Sequence, residues 1–140
     1  MPSRSYISAV LTMIAAIVGV GMSKFGAFPD KSSRDLFVEA FRELRATVEK
    51  GFDPAVIESL YLGNFSSDLF EGQGHMAPIM ADAIGICPAP ALRVEDACAS
   101  GGVALRQGIQ AIASGLYDIV LVGGVEKMTD LPTEKVTDAL

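Results

Sequence analysis

Two cysteines, Cys87 and Cys98, and one histidine, His75, are the side chains of this 140-residue sequence best suited to nucleophilic or acid–base chemistry. Cys98 has the more informative neighbours. It stands in Val94-Glu95-Asp96-Ala97-Cys98-Ala99-Ser100-Gly101-Gly102-Val103-Ala104-Leu105. Residues 91–95 read as an apolar-edged strand, a tight turn holds the cysteine, and a helix rich in small residues follows at once. A thiol at such a junction lies near free backbone N–H groups and the positive end of a helix dipole. Both favour the thiolate, which is the attacking species. A free Cys among Ala, Ser and Gly is also often a small buried hydrophobe. Gly101 and Gly102 weigh against that reading: they lower helix propensity, so something else must favour them, and close approach of another segment or a ligand to the backbone would be a sufficient reason.

The other reactive residues point elsewhere. Cys87 lies beside Pro88 and Pro90 in a loop. The two cysteines are not at metal-ligand spacing and there is only one histidine, so no metal site is expected. His75 precedes a helix that runs through Pro78 to Gly85; a His there more often makes structural hydrogen bonds, and a cation would oppose the dipole. It receives no catalytic role. Gly19-x-Gly21 suggests a dinucleotide fingerprint, but position 24 is Lys24, residues 24–31 are loop-like, and no acidic residue closes the second strand. No bound cofactor is expected.

The elements that must position Cys98 follow from periodicity. Residues 17–22 read as a buried first strand entering a Gly turn, in preference to a signal peptide or membrane anchor. Ser32 and Asp35 form a capping-box start for a helix carrying Leu36, Phe37, Ala40, Phe41, Leu44 and Val48 on one stripe and ending at Gly51. Asp53-Pro54 caps a short turn, residues 59–63 read as a second strand, and 64–74 as a polar loop. After Cys98, Ala104, Gly108, Ala111 and Gly115 share one stripe of a helix, and Leu105, Ile109, Ile112 and Leu116 the next. Two such faces predict a central helix packed on both sides. Residues 119–122 form an apolar run suited to a further strand. The order βαβαβαβ implies an α/β fold with a mostly parallel sheet.

Half of the residues are hydrophobic and a fifth charged, which suits a folded domain and excludes disorder. The net charge of −6, with no cluster among the 11 basic residues, argues against nucleic-acid binding. Two free cysteines in an acidic chain suggest a reducing cytoplasmic setting, and with residues 17–22 read as a strand no membrane partner is expected.

Glu95-Asp96-Ala97-Cys98-Ala99-Ser100-Gly101, the small-striped helix, and Gly123-Gly124-Val125-Glu126-Lys127-Met128-Thr129 together resemble the thiolase superfamily, most closely its archaeal acetyl-CoA acetyltransferase and sterol-carrier-type members. The resemblance runs from about Ala15 to Leu140. It implies a partial thiolase N-terminal domain over residues 13–140, with residues 1–12 as an extension, and a buried central helix after the nucleophile. It also implies that Cys98 takes an acyl group from a coenzyme A thioester and passes it to a second acetyl-CoA, or runs the reverse cleavage of a 3-ketoacyl-CoA. CoA thioesters are then substrates rather than cofactors, although no basic cluster stands out to hold one. The family's later His-containing and second-Cys motifs have no counterpart here, which leaves a fragment, a split enzyme with a companion chain carrying the C-terminal half, a relic that only binds, or a non-catalytic assembly subunit as expectations; the resemblance also implies a homo-oligomer.

Overall fold

The structure is a computed structural model that describes residues 15–138, so the expected extension over residues 1–12 lies outside the described residues. Helix α1 (Ser33–Thr47) begins where the capping box predicts: Ser32 Oγ accepts from Asp35 N at 3.2 Å, and Asp35 Oδ2 accepts from Ser32 N at 2.9 Å. Ser32 Oγ also donates to Asp35 Oδ2 at 2.6 Å, and this bond first, then the one from Ser32 N, holds the Asp35 carboxyl below its ordinary value. Gly51, at φ +61°, lies in the left-handed region just beyond the helix, and Asp53 caps the single 3-10 turn Pro54–Val56 through Ala55 N.

Three strands follow, β1 (Ser59–Gly63), β2 (Ala91–Val94) and β3 (Val120–Gly124), all parallel in the order β2-β1-β3. Between β1 and β2 lie the short α2 (Ser67–Phe70) and α3 (Met76–Ala83); α4 (Ser100–Ala113) joins β2 to β3, and α5 (Thr133–Asp138) follows. The central strand β1 is buried along its whole length, while β2 and β3, each with one edge unpaired among the described residues, are half-covered. Alternation divides the core into two layers. Leu60, Leu62 and Leu121 pack with Phe37 and Phe41 of α1 and Met76, Ala77, Met80 and Ala81 of α3. Tyr61, Val120 and Val122 face Ala104 and Ala111 of α4. Leu62 is fully buried in the larger layer. Leu62→Ala is expected to cost about 3 kcal/mol of unfolding free energy. A urea-denaturation loss well under 1 kcal/mol would show that this layer is not packed as described.

Two expectations need correction. Residues 17–22 form no strand: the segment runs along α1, with Val20 N donating to Thr47 Oγ1 at 3.1 Å and Thr47 Oγ1 donating to Val20 O at 3.0 Å. Ile17, Val18, Val20 and Met22 are exposed. Its glycines serve close approach to that helix, since a Cβ on Gly21 would lie 2.2 Å from Leu44 N. The sheet therefore has three strands among the described residues. Among the described residues, the helix after Cys98 is also covered on one face only. Its small stripe lies against β3, where a Cβ on Gly108 would come within 2.6 Å of Val122 Cγ2. Leu105 and Ile109 of its bulky stripe are exposed, Ile112 is half-buried, and Leu116, which lies just beyond the helix, is exposed as well.

Candidate active site

All three strands deliver their carboxyl ends to one side of the sheet, the side on which open α/β folds build ligand sites. Cys98 is there, in the 3-10 turn Ala97–Ala99 that leads from β2 directly into α4, and it is exposed. Cys87 is exposed as well, but it precedes β2 and so stands at the opposite end of that strand.

The turn holding Cys98 is strained and tightly bonded. Ala97 has φ +45°, a left-handed conformation that costs a residue with a Cβ about 1 kcal/mol or more. Its N–H donates to Glu95 Oε1 at 2.7 Å, and its carbonyl accepts from Ser100 Oγ at 2.7 Å. The same buried hydroxyl accepts from Asp96 N at 2.8 Å, and Ala99 N donates to Asp96 O at 2.8 Å. Every peptide on either side of Cys98 is thereby held. The arrangement presents a thiol on a rigid, solvent-facing turn.

The expected close approach at Gly101 is present, but the glycine that requires it is Gly63. A Cβ on Gly63 would lie 2.7 Å from both Cα and N of Gly101, whereas one on Gly101 or Gly102 would meet nothing within 4 Å among the described residues. The end of β1 thus abuts the first turn of α4 backbone to backbone.

Beside this contact lies a polar network that the pattern of the sequence did not reveal. Asn64, 1 % exposed, donates from Nδ2 to Val125 O at 2.8 Å and accepts from Ser67 Oγ at 2.6 Å. Glu126 accepts from Phe65 N at 2.6 Å and from Ser66 N and Asn64 Nδ2 at 3.3 Å each. Arg93 of β2 donates from Nε to Asn64 O at 3.1 Å, and from Nη2 to Phe65 O and to Asp68 Oδ1, the last at 2.9 Å. The only sequence signal was the Gly-Gly-x-Glu run, noted for its resemblance alone; nothing connected Glu126 to Arg93 or Asn64. Residues 64–74, read as a loop, contain α2 as well.

Burial pushes the Glu126 carboxyl above its ordinary value of 4.5, outweighing the Phe65 and Ser66 N–H bonds that pull it down. The folded protein therefore keeps this proton to higher pH than the unfolded chain does. The resulting stabilisation is fully present below the unfolded value and is lost as pH rises through the folded one. Urea midpoints for the wild type, compared with Glu126→Gln across the acid range on either side of 4.5, should show the wild type losing ground as pH rises. Parallel profiles would mean that Glu126 does not titrate as described.

His75 is the exposed N-cap of α3, and its side chain makes no capping bond. The structure gives it no role at the Cys98 turn. Among the described residues no three His, Cys, Asp or Glu side chains converge to hold a metal, and no helix is long and apolar enough to cross a membrane.

Comparison with known proteins agrees with the architecture. Residues 15–140 match the family model described as the thiolase N-terminal domain. An acetyl-CoA acetyltransferase of Methanothermobacter thermautotrophicus is 48% identical over 126 residues, which is 89% of this chain and 32% of that protein. A protein of the same name from Methanocaldococcus jannaschii is 50% identical over 116 residues, 83% of this chain and 29% of that protein. A benzoylsuccinyl-CoA thiolase subunit of Thauera aromatica is 31% identical over 117 residues, 81% of this chain and 28% of its own length. The chain spans about a third of the length of these curated relatives. With a parallel α/β sheet, a cysteine turn at its carboxyl edge and a family match over residues 15–140, this chain belongs to the thiolase family, whose N-terminal domain it represents in part.

Proposed function

We propose that this chain carries the acyl-accepting half of a thiolase-type acyltransferase site, with Cys98 as the nucleophile. The observation that carries the reading is the exposed thiol on a strained, hydrogen-bonded turn at the carboxyl end of β2. The thiolate attacks the carbonyl carbon of a CoA thioester, a new carbon–sulfur bond forms to Cys98, the bond to the CoA sulfur breaks, and CoA leaves as the thiol after taking up a proton. Exchange between two alkyl thiols is close to balanced, so this half-reaction asks little beyond a placed nucleophile.

Condensation with a second acetyl-CoA asks more. A proton must leave the carbon next to a thioester, and the oxyanions formed must be stabilised, steps to which a positioned base and placed donors each contribute on the order of a hundredfold or more. These groups belong, in this proposal, to the remaining portion of a thiolase-length protein, whether joined to this chain, supplied by a companion or shared between copies. The relatives named acetyl-CoA acetyltransferase support acetyl-CoA as the donor. A reducing cytoplasm suits the free thiol.

Leu105, Ile109 and Leu116, apolar and exposed among the described residues, favour a second reading, an assembly subunit that binds a partner without catalysis. Mass spectrometry after incubation with acetyl-CoA separates the two, because acetyl transfer to Cys98 belongs only to the first.

A further inference from the structure

We propose that Glu126 and Arg93 are positioning residues for the Cys98 turn, acting as a pair of opposite charges that clamps the backbone following β1. The inference rests on the reading of Cys98 as nucleophile for its catalytic meaning, but its mechanical content stands on the structure alone.

The clamp grips successive peptide groups from both sides. The N–H groups of Phe65 and Ser66 point to the Glu126 carboxylate, at 2.6 and 3.3 Å. The carbonyls of Asn64 and Phe65 point to the Arg93 guanidinium. An anion on the donors and a cation on the acceptors of the same short segment hold it more firmly than neutral partners would, since charge-assisted bonds are roughly twice as strong. The segment is tied to both outer strands as well: Asn64 N donates to Val94 O at 3.1 Å, and Val125 N to Gly63 O at 3.3 Å.

From this segment a short path leads to the thiol. Gly63, the residue just before it, touches Gly101 with no side chain between the two backbones. Such a contact has no rotamer to absorb displacement, so a shift at Asn64 is passed to the first turn of α4. There Ser100, 5 % exposed, bonds Asp96 N and Ala97 O and so sets the turn that presents Cys98. The two charged residues are 33 positions apart and come together because β2 and β3 flank β1. Glu126 and Arg93 touch neither Cys98 nor, in this proposal, the acyl group; they act through the peptide they hold.

The test combines amide hydrogen exchange with thiol chemistry on the wild type, Glu126→Ala, Glu126→Gln, Arg93→Ala and the double alanine variant. Loss of either charge should speed exchange at Phe65 and Ser66 by about tenfold or more, the loss expected for hydrogen bonds to a charged group. Exchange at Asp96 and Ala97 should accelerate with it. Acetyl-CoA labelling of Cys98 should slow by about tenfold, one factor of ten for each 1.4 kcal/mol, while iodoacetamide modification of Cys98 and Cys87, both already exposed, stays within twofold of the wild type. Glu126→Gln keeps an acceptor for Phe65 N–H and should recover part of the labelling rate. The double variant should be little worse than either single one if the pair works as a unit. Faster exchange at Phe65 and Ser66 with Asp96 and Ala97 unchanged would overturn the proposal, as would wild-type labelling rates in both alanine variants. If both cysteines become more reactive together and exchange rises throughout, the residues merely stabilise the fold and the proposal fails. A wild type that takes no acetyl group refutes the nucleophile reading instead, and the exchange results then decide the clamp by themselves.

Discussion

One acetyl group on Cys98 and none on Cys87 is the expected result when the folded chain meets acetyl-CoA. Both thiols are exposed, so access does not distinguish them. The difference lies in what holds them. Cys98 sits on a turn whose flanking peptides are fixed by Glu95, Asp96 and Ser100 and whose Ala97 keeps a left-handed φ. Strain retained at a bonded turn is the kind of feature that accompanies function. Labelling should disappear altogether in Cys98→Ala and survive in Cys87→Ala. Turnover is a separate matter. The chain by itself should form no acetoacetyl-CoA and cleave none, because the base and the remaining oxyanion donors are each worth on the order of a hundredfold or more. Turnover should return when a chain carrying the rest of a thiolase is supplied, and Cys98→Ala should then abolish it. Robust turnover by the 140-residue chain unaided would place a base within it, and His75 would be the first candidate.

The second large effect is expected at Gly63. An added Cβ would lie 2.7 Å from Cα and N of Gly101 and 2.8 Å from the carbonyl carbon of Ser100, and all three atoms are backbone. No side chain can rotate away. β1 cannot retreat either, because Gly63 is in register with Val94 on one side and Gly124 on the other. Gly63→Ala should therefore cost about 3 kcal/mol, at the upper end of overpacking penalties, and should slow acetyl-CoA labelling by separating β1 from the turn of α4. Gly101→Ala supplies the contrast. Its Cβ would meet nothing within 4 Å among the described residues, and Ala is the better helix former by up to about 1 kcal/mol, so this variant should be neutral or slightly more stable. Urea denaturation of the two variants side by side checks both statements. Equal effects would show that the two backbones are not in contact.

Those two glycines mark the boundary between what was legible and what was not. Whatever depends on neighbours along the chain could be read directly. The Ser32–Asp35 capping box, the Asp53-Pro54 turn, the three strand segments and the small stripe of α4 all appear where their residues predict. The turn holding Cys98 between β2 and α4 belongs to this group as well. In each case a hydrogen bond spans a few residues, or a periodicity of two or 3.6 selects a face.

What remained hidden depends on which segments meet. Residues 17–22 are apolar and extended enough for a strand, but only the packed molecule shows that they run along α1 through Thr47 instead of joining the sheet. The two faces of α4 are both apolar, and composition alone does not say that the small one takes the sheet while Leu105 and Ile109 stay exposed. Glycine at positions 63 and 101 looks alike in the sequence, yet just one of them has a backbone where its Cβ would be. Glu126 stands out in the sequence only as part of the Gly-Gly-x-Glu run, and Arg93 and Asn64 read as a strand residue and a loop residue; the strand order β2-β1-β3 brings the three together. The sequence by itself therefore determined the family, the turn that holds Cys98 and the elements around it, because those rest on local order. The tertiary structure alone decided which backbone presses on the Cys98 turn and which charges hold that backbone, because parallel strands join residues that no spacing along the chain connects.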